Sequence, residues 1–198
     1  MGPKLKIIGL AGTNGSGKDT VGNLLASKYN YLFVSVTEIL RAELARRGLE
    51  INRENLRSLS AEWRRATGQL GVLVDKAVAE FEKEPSKFAG VAMASLRNPG
   101  EADRVHELGG SVIWVDADPK LRYDRIQANA ELRHRADEDQ KTFEQFLAEE
   151  AAEMNPAPGT DAAVLNMSAV KKRCDVFITN DGTDLNQLQS DLANALGL

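Results

Sequence analysis

The segment Gly12-Thr13-Asn14-Gly15-Ser16-Gly17-Lys18-Asp19-Thr20 constrains the fold more than any other part of the chain. It follows a short apolar run, residues 5–10, and precedes a stretch whose apolar residues Val21, Leu24, Leu25 and Tyr29 fall on one helical face. The reading is strand, glycine-rich loop, helix. The glycines permit a tight turn in which several backbone N–H groups face one point, and the helix beginning near Lys18 adds the positive end of its dipole. Lys18 contributes a mobile cation. A ring of donors around a cation, with no anion built in, is suited to a polyphosphate.

The rest of the chain repeats this rhythm. Residues 5–10, 31–36, 90–96, 111–116 and 176–180 read as buried strands rich in Val, Ile and aromatics. Helical faces lie between and after them: Leu56, Leu59, Trp63 and Ala66, then Leu185, Leu188, Leu192 and Leu196. The alternation predicts a three-layer α/β fold, a five-stranded parallel sheet with helices on both faces and ligands at the carboxyl ends of the strands. Residues 37–84 and 131–160 break the pattern and read as helical excursions from one domain spanning 1–198. The 198 residues carry 25 Lys+Arg against 29 Asp+Glu, a net charge of −4, which argues against a nucleic-acid partner. No apolar run reaches the ~18 residues of a membrane span. The lone Cys174 excludes an internal disulfide and a cysteine zinc site, which suits a cytoplasmic protein. Cys174, before a strand, reads as core. His106 and His134 have no nucleophile or acid grouped with them that would suggest covalent catalysis.

With these elements in order, the sequence resembles the nucleoside-monophosphate-kinase group of P-loop phosphotransferases, and most closely its small, dephospho-coenzyme A kinase-like members. The likeness runs through nearly the whole chain. It includes Val34-Ser35-Val36-Thr37-Glu38-Ile39-Leu40-Arg41, Ser95-Leu96-Arg97 followed by Glu101-Ala102, Arg133-His134-Arg135-Ala136-Asp137, and the final strand and loop over residues 175–183. The resemblance implies a P-loop NTPase fold with an acceptor-binding helical region at about 37–84 and a lid at about 131–141. It implies ATP with Mg²⁺: Gly12, Asn14, Gly15, Ser16, Gly17, Lys18, Asp19 and Thr20 around the phosphates, and Arg125, Asn180 and Gly182 toward the base. It assigns Arg41 and Arg97 to the acceptor's phosphate, and Arg133 and Arg135 to closing over the transferred group. Asp19 intervenes between Lys18 and the hydroxyl residue, so Thr20 is the candidate Mg²⁺ neighbour. The family's acidic residue at the end of the third strand is absent; Ala94 and Ser95 stand there. The metal would then rely on Thr20, the phosphates, water, and Asp19 or Asp116.

Arginine fits phosphate because its planar fork binds two oxygens and stays charged. Arg53, Arg57 and Arg64 fall within about 40° of one another on a helix. Stacked like charges repel unless an anion lies over them, either a phosphate-bearing acceptor or partners such as Glu50 and Glu62. Arg64 is the third acceptor candidate. The expectation is an ATP-dependent kinase acting on a small-molecule nucleotide, with a nucleoside monophosphate as acceptor. Transfer to a ribose hydroxyl, for which Asp19 would be the base, is the alternative enzyme. A non-catalytic ATP-binding protein is the alternative without chemistry. No Asn-Lys-x-Asp segment reads guanine.

Overall fold

The computed structural model describes residues 6–129, 141–182 and 184–197. Five strands, β1 (Lys6–Gly12), β2 (Tyr31–Ser35), β3 (Gly90–Leu96), β4 (Ser111–Asp116) and β5 (Val176–Thr179), pair in the order β2-β3-β1-β4-β5, and every pairing is parallel. Successive side chains on a strand point to opposite faces, and here both faces are apolar. On β1, Ile7 and Ala11 join one core, while Ile8 and Leu10 join the other. On β4, Val112 and Trp114 divide from Ile113 and Val115 in the same way.

The second core is closed by α1 (Lys18–Tyr29) and α9 (Leu185–Leu196), through Val21, Leu25, Leu188 and Leu192. The first is closed by α2 (Val36–Arg46), α3 (Arg53–Thr67), α4 (Val72–Phe81) and α5 (Pro99–Glu107). α6 (Pro119–Ala128) follows β4. α7 (Phe143–Met154) and the short α8 (Met167–Lys171) precede β5. Caps set these boundaries. Asn52 accepts from Asn55 N at the start of α3, and Gly68 ends it in the left-handed conformation. Reciprocal capping boxes open α5 (Asn98 with Glu101) and α7 (Thr142 with Gln145).

Most strands lie where the sequence places them. Val36 belongs to α2 and not to β2, because Ser35 is the last extended residue and serves as the helix N-cap. Cys174 is half-buried against the core, and burial pushes its thiol up to about 12. Among the described residues no helix is long and apolar enough to cross a membrane. β1 is central, so its carboxyl end opens between the ends of β3 and β4. That crevice is where open parallel sheets hold ligands.

Candidate active site

The loop after β1 is built as its glycines require. Gly12, Gly15 and Gly17 have φ of 141°, 79° and 95°. A Cβ at Gly12 would lie 2.0 Å from the Val115 carbonyl oxygen, and one at Gly17 would lie 2.3 Å from Asn180 Nδ2. A side chain at Gly12 would meet the backbone of β4, and one at Gly17 would displace the Asn180 side chain that holds the loop, while the positive φ strains any other residue at both. Three elements hold the turn from outside. Thr13 Oγ1 donates to Asp116 Oδ1 at the end of β4 (3.0 Å), Asn180 Nδ2 after β5 donates to Ser16 O (2.9 Å), and Arg122 of α6 donates to Asn14 O (3.2 Å). Lys18 begins α1 and is 9% exposed. Its Nζ donates to Thr13 O at 2.6 Å and lies 3.5 Å from Ser16 Oγ. Burial, with the charge of Arg97 next in weight, lowers its pKa to about 7 against the pull of Asp19 and Glu153. An ammonium with its solvent removed and only neutral oxygens close by gains most from an incoming anion.

The residues expected around an ATP base are brought together. Arg125 on α6 donates to Asn180 O (2.8 Å) and Gly182 O (2.9 Å), which ties α6 to the loop after β5. Asp116 is a support of the loop: it accepts from Thr13, from Trp114 Nε1 (3.1 Å) and from Ala117 N (3.0 Å), with Lys171 Nζ at 3.5 Å. Burial would raise its pKa, but these hydrogen bonds and Lys171 hold it below the usual carboxylate range.

Beside the loop a small cleft, about 70 Å³, runs from Asn14 to α2 and α3. Leu40, Leu56 and Leu73 form its apolar wall; Arg57, Ser60, Arg64, Ser95 and Arg97 form its polar wall. Ser95 has φ +77°, a backbone conformation a non-glycine residue keeps only where its surroundings impose it. Arg64 is 2% exposed and pairs with the fully buried Glu101 at 2.6 Å, while also donating to Ala163 O (2.8 Å). Its Nε is buried with no hydrogen-bond partner among the described residues. Glu101 also accepts from Arg97 N (2.7 Å) and Asn98 N (3.0 Å), so it fixes the turn that presents Arg97.

The partners of the arginine stripe come from far along the chain. Glu153, on the last turn of α7 and 7% exposed, accepts from Arg53 (2.6 Å), Arg57 (2.5 Å) and Arg97 (2.8 Å). Burial would raise its pKa, but Arg97 and Arg53, with the hydrogen bond from Arg57, hold it at about 2. Glu149 pairs with Arg53 and Lys141, and Glu150 pairs with Arg122, itself 2% exposed. Neither of the nearby acids the sequence suggests takes this part: Glu62 pairs with Arg47. The sequence sets Arg53 and Arg57 in a stripe that needs an anion, but it does not single out Glu101 or Glu153 as site residues. A carboxylate in the last turn of a helix, where the dipole disfavours it, was the available signal for Glu153.

The other expected residues divide. Arg41 lies 3.5 Å from Glu38 on its own helix and does not line the cleft. Asp19 is exposed on the first turn of α1, and Thr20 follows it. Hydroxyl and carboxylate oxygens beside the lysine fit Mg²⁺ carried by a nucleotide. Among the described residues no group of three or more His, Cys, Asp or Glu could hold a metal unaided. The expected lid, with Arg133, His134 and Arg135, lies outside the described residues apart from Lys141.

Residues 11–144 match a family model described as an AAA domain. A UPF0200 protein of Pyrobaculum aerophilum is 27% identical over 97% of both chains, and one from Methanococcus maripaludis is 26% identical over 96% of this chain and 95% of its own. Among solved structures, shikimate kinase from Bacteroides thetaiotaomicron superimposes with a TM-score of 0.61 at 16% identity, covering 98% of this chain and 99% of that one. TT1252 from Thermus thermophilus gives 0.57 at 21% identity, covering 98% and 96%. The parallel 2-3-1-4-5 sheet with the loop at its crevice is thus the P-loop kinase fold, and the chain belongs to the AAA domain family.

Proposed function

We propose that this chain is an ATP-dependent phosphotransferase whose acceptor carries a phosphate, with a nucleoside monophosphate as the best-fitting class. The observation that carries the reading is the contiguity of two anion sites: Asn14 of the loop and Arg57, Arg64 and Arg97 line one cleft. The loop amides and Lys18 would hold the β- and γ-phosphates of ATP. Arg125, Asn180 and Gly182 would border its base. Thr20 and Asp19 are the oxygens available to Mg²⁺, which when bound neutralises charge developing between the β- and γ-phosphates. Arg97, Arg57 and Arg64 would hold the acceptor's phosphate in line with the γ-phosphorus. Arg97 would also compensate charge on the moving phosphoryl group, since its field already reaches Lys18. Transfer then needs alignment and charge compensation more than covalent help.

A phosphate acceptor needs no base, whereas a hydroxyl acceptor does. The carboxylate that lines the cleft, Glu101, is committed to Arg64, and Asp19, the candidate base, does not line it, which favours the phosphate acceptor. The test incubates the protein with Mg·ATP and a panel of nucleoside monophosphates, dephospho-coenzyme A and shikimate, and follows ADP. Release stimulated by a monophosphate supports the reading. ATP binding without acceptor-dependent ADP indicates a binding protein instead.

A further inference from the structure

We infer that Glu153 is a built-in occupant of the acceptor's phosphate position, and that an acceptor binds by displacing it from Arg53, Arg57 and Arg97. The inference rests on the reading of the cleft as the acceptor site. Three guanidinium groups from two separate segments, α3 and the turn after β3, converge on one carboxylate at 2.5–2.8 Å. Two carboxylates, Glu153 and Glu149, against Arg53, Arg57, Arg97 and Lys141 leave the cluster short of anion, and a phosphate dianion with three acceptor oxygens supplies more negative charge to it than Glu153 does. The carboxylate stands at the unfavourable end of its helix. α7 is anchored away from it: Phe146 packs against Tyr123, and Thr142 caps the other end. Besides the Glu153 ion pairs the last turn is held by Met154 against the first core, so losing those pairs loosens it while Phe146 and the Thr142 cap keep the helix docked. The cleft that Arg53, Arg57 and Arg97 line, about 70 Å³, is far below the roughly 300–1,000 Å³ of a typical ligand pocket. Glu153 borders a neighbouring space of about 240 Å³ that shares Arg57 and Leu165 with it, so withdrawing the carboxylate would enlarge the room around the arginines. The buried Nε of Arg64, unpartnered among the described residues and on a residue lining the same cleft, marks a donor still without its acceptor.

An internal competitor multiplies the affinity of the site by the fraction of molecules in which it is undocked, which is less than one. Three charge-assisted hydrogen bonds keep that fraction below about a tenth, so removing the charge should tighten phosphate binding by about tenfold or more. Inorganic phosphate is titrated by calorimetry into the protein saturated with a non-hydrolysable ATP analogue, which fills the loop. Wild type, Glu153→Gln and Arg57→Ala are compared, and hydrogen exchange of residues 150–155 is followed in wild type. The expected result is tighter binding by Glu153→Gln, loss of binding in Arg57→Ala, and faster exchange of the last α7 turn on adding phosphate. Equal or weaker binding by Glu153→Gln, or exchange that slows or does not change, overturns the inference. Glu153 would then merely position Arg97, and the acceptor reading would stand. No phosphate binding by either protein overturns both. Should Glu153→Gln fail to fold, the wild-type exchange result decides.

Discussion

Filling the loop with ADP at pH 8 should draw close to one proton from solvent. Lys18 is held to about 7 by burial first and by Arg97 second. A phosphate brought against Nζ supplies the charge the site lacks and returns the lysine toward its ordinary 10.5. Because the free protein's value lies below the bound one, binding takes protons up, and it does so only where the free lysine is neutral. A group titrating at about 7 is about one-tenth charged at pH 8, about half at pH 7 and about nine-tenths at pH 6, so the uptake is about 0.9, 0.5 and 0.1 proton. Affinity consequently falls nearly tenfold per pH unit above pH 8, through this group alone. Calorimetry in buffers of different ionisation enthalpy reads the uptake directly. Lys18→Met should abolish it along with most of the affinity. Absence of uptake at pH 8, or uptake that grows as pH falls, would show that the lysine is not the anion's partner.

Glu101→Ala leaves the buried Arg64 without its counter-ion and two backbone amides without an acceptor, and should cost about 3–5 kcal/mol by chemical denaturation; a loss below about 1 kcal/mol contradicts the pairing. Glu153 titrates at about 2 in the folded chain against an ordinary 4.5, so its contribution is present above pH 4.5 and lost as pH falls toward 2. The difference amounts to at most about 3 kcal/mol, and Glu153→Gln should flatten stability over that window; an unaltered slope refutes the assignment. Arg97→Ala should lower kcat/KM for the acceptor by about 10²–10³-fold, while Arg41→Ala, outside the cleft, should change it less than about threefold. The reverse order would return the acceptor's phosphate to Arg41.

The loop was legible because its chemistry is local. Three glycines, a lysine and their flanking elements sit within nine residues, and no distant partner is needed to interpret them. The strands were legible because burial on both faces leaves continuous apolar runs. The cleft was only half legible. Arg53, Arg57 and Arg64 declare a helical stripe that needs an anion, but helical spacing says nothing about an acid that arrives about 100 residues later. Glu153 and Glu101 are charged residues on charged helices, indistinguishable in sequence from solvated ones. Arg41 looked equivalent to Arg97 because both follow a strand. Their surroundings separate them: Arg97 is presented by the Glu101-capped turn, whereas Arg41 turns to Glu38 on its own helix.

The central claim, transfer of a phosphoryl group onto a phosphate, has a direct spectroscopic readout. Phosphorus NMR of protein, Mg·ATP and the acceptor selected by the nucleotide panel should show coupled resonances of a new phosphoanhydride growing as ATP is consumed. A phosphomonoester signal would place the transfer on a hydroxyl, and inorganic phosphate alone would mean that water, not a bound acceptor, receives the group.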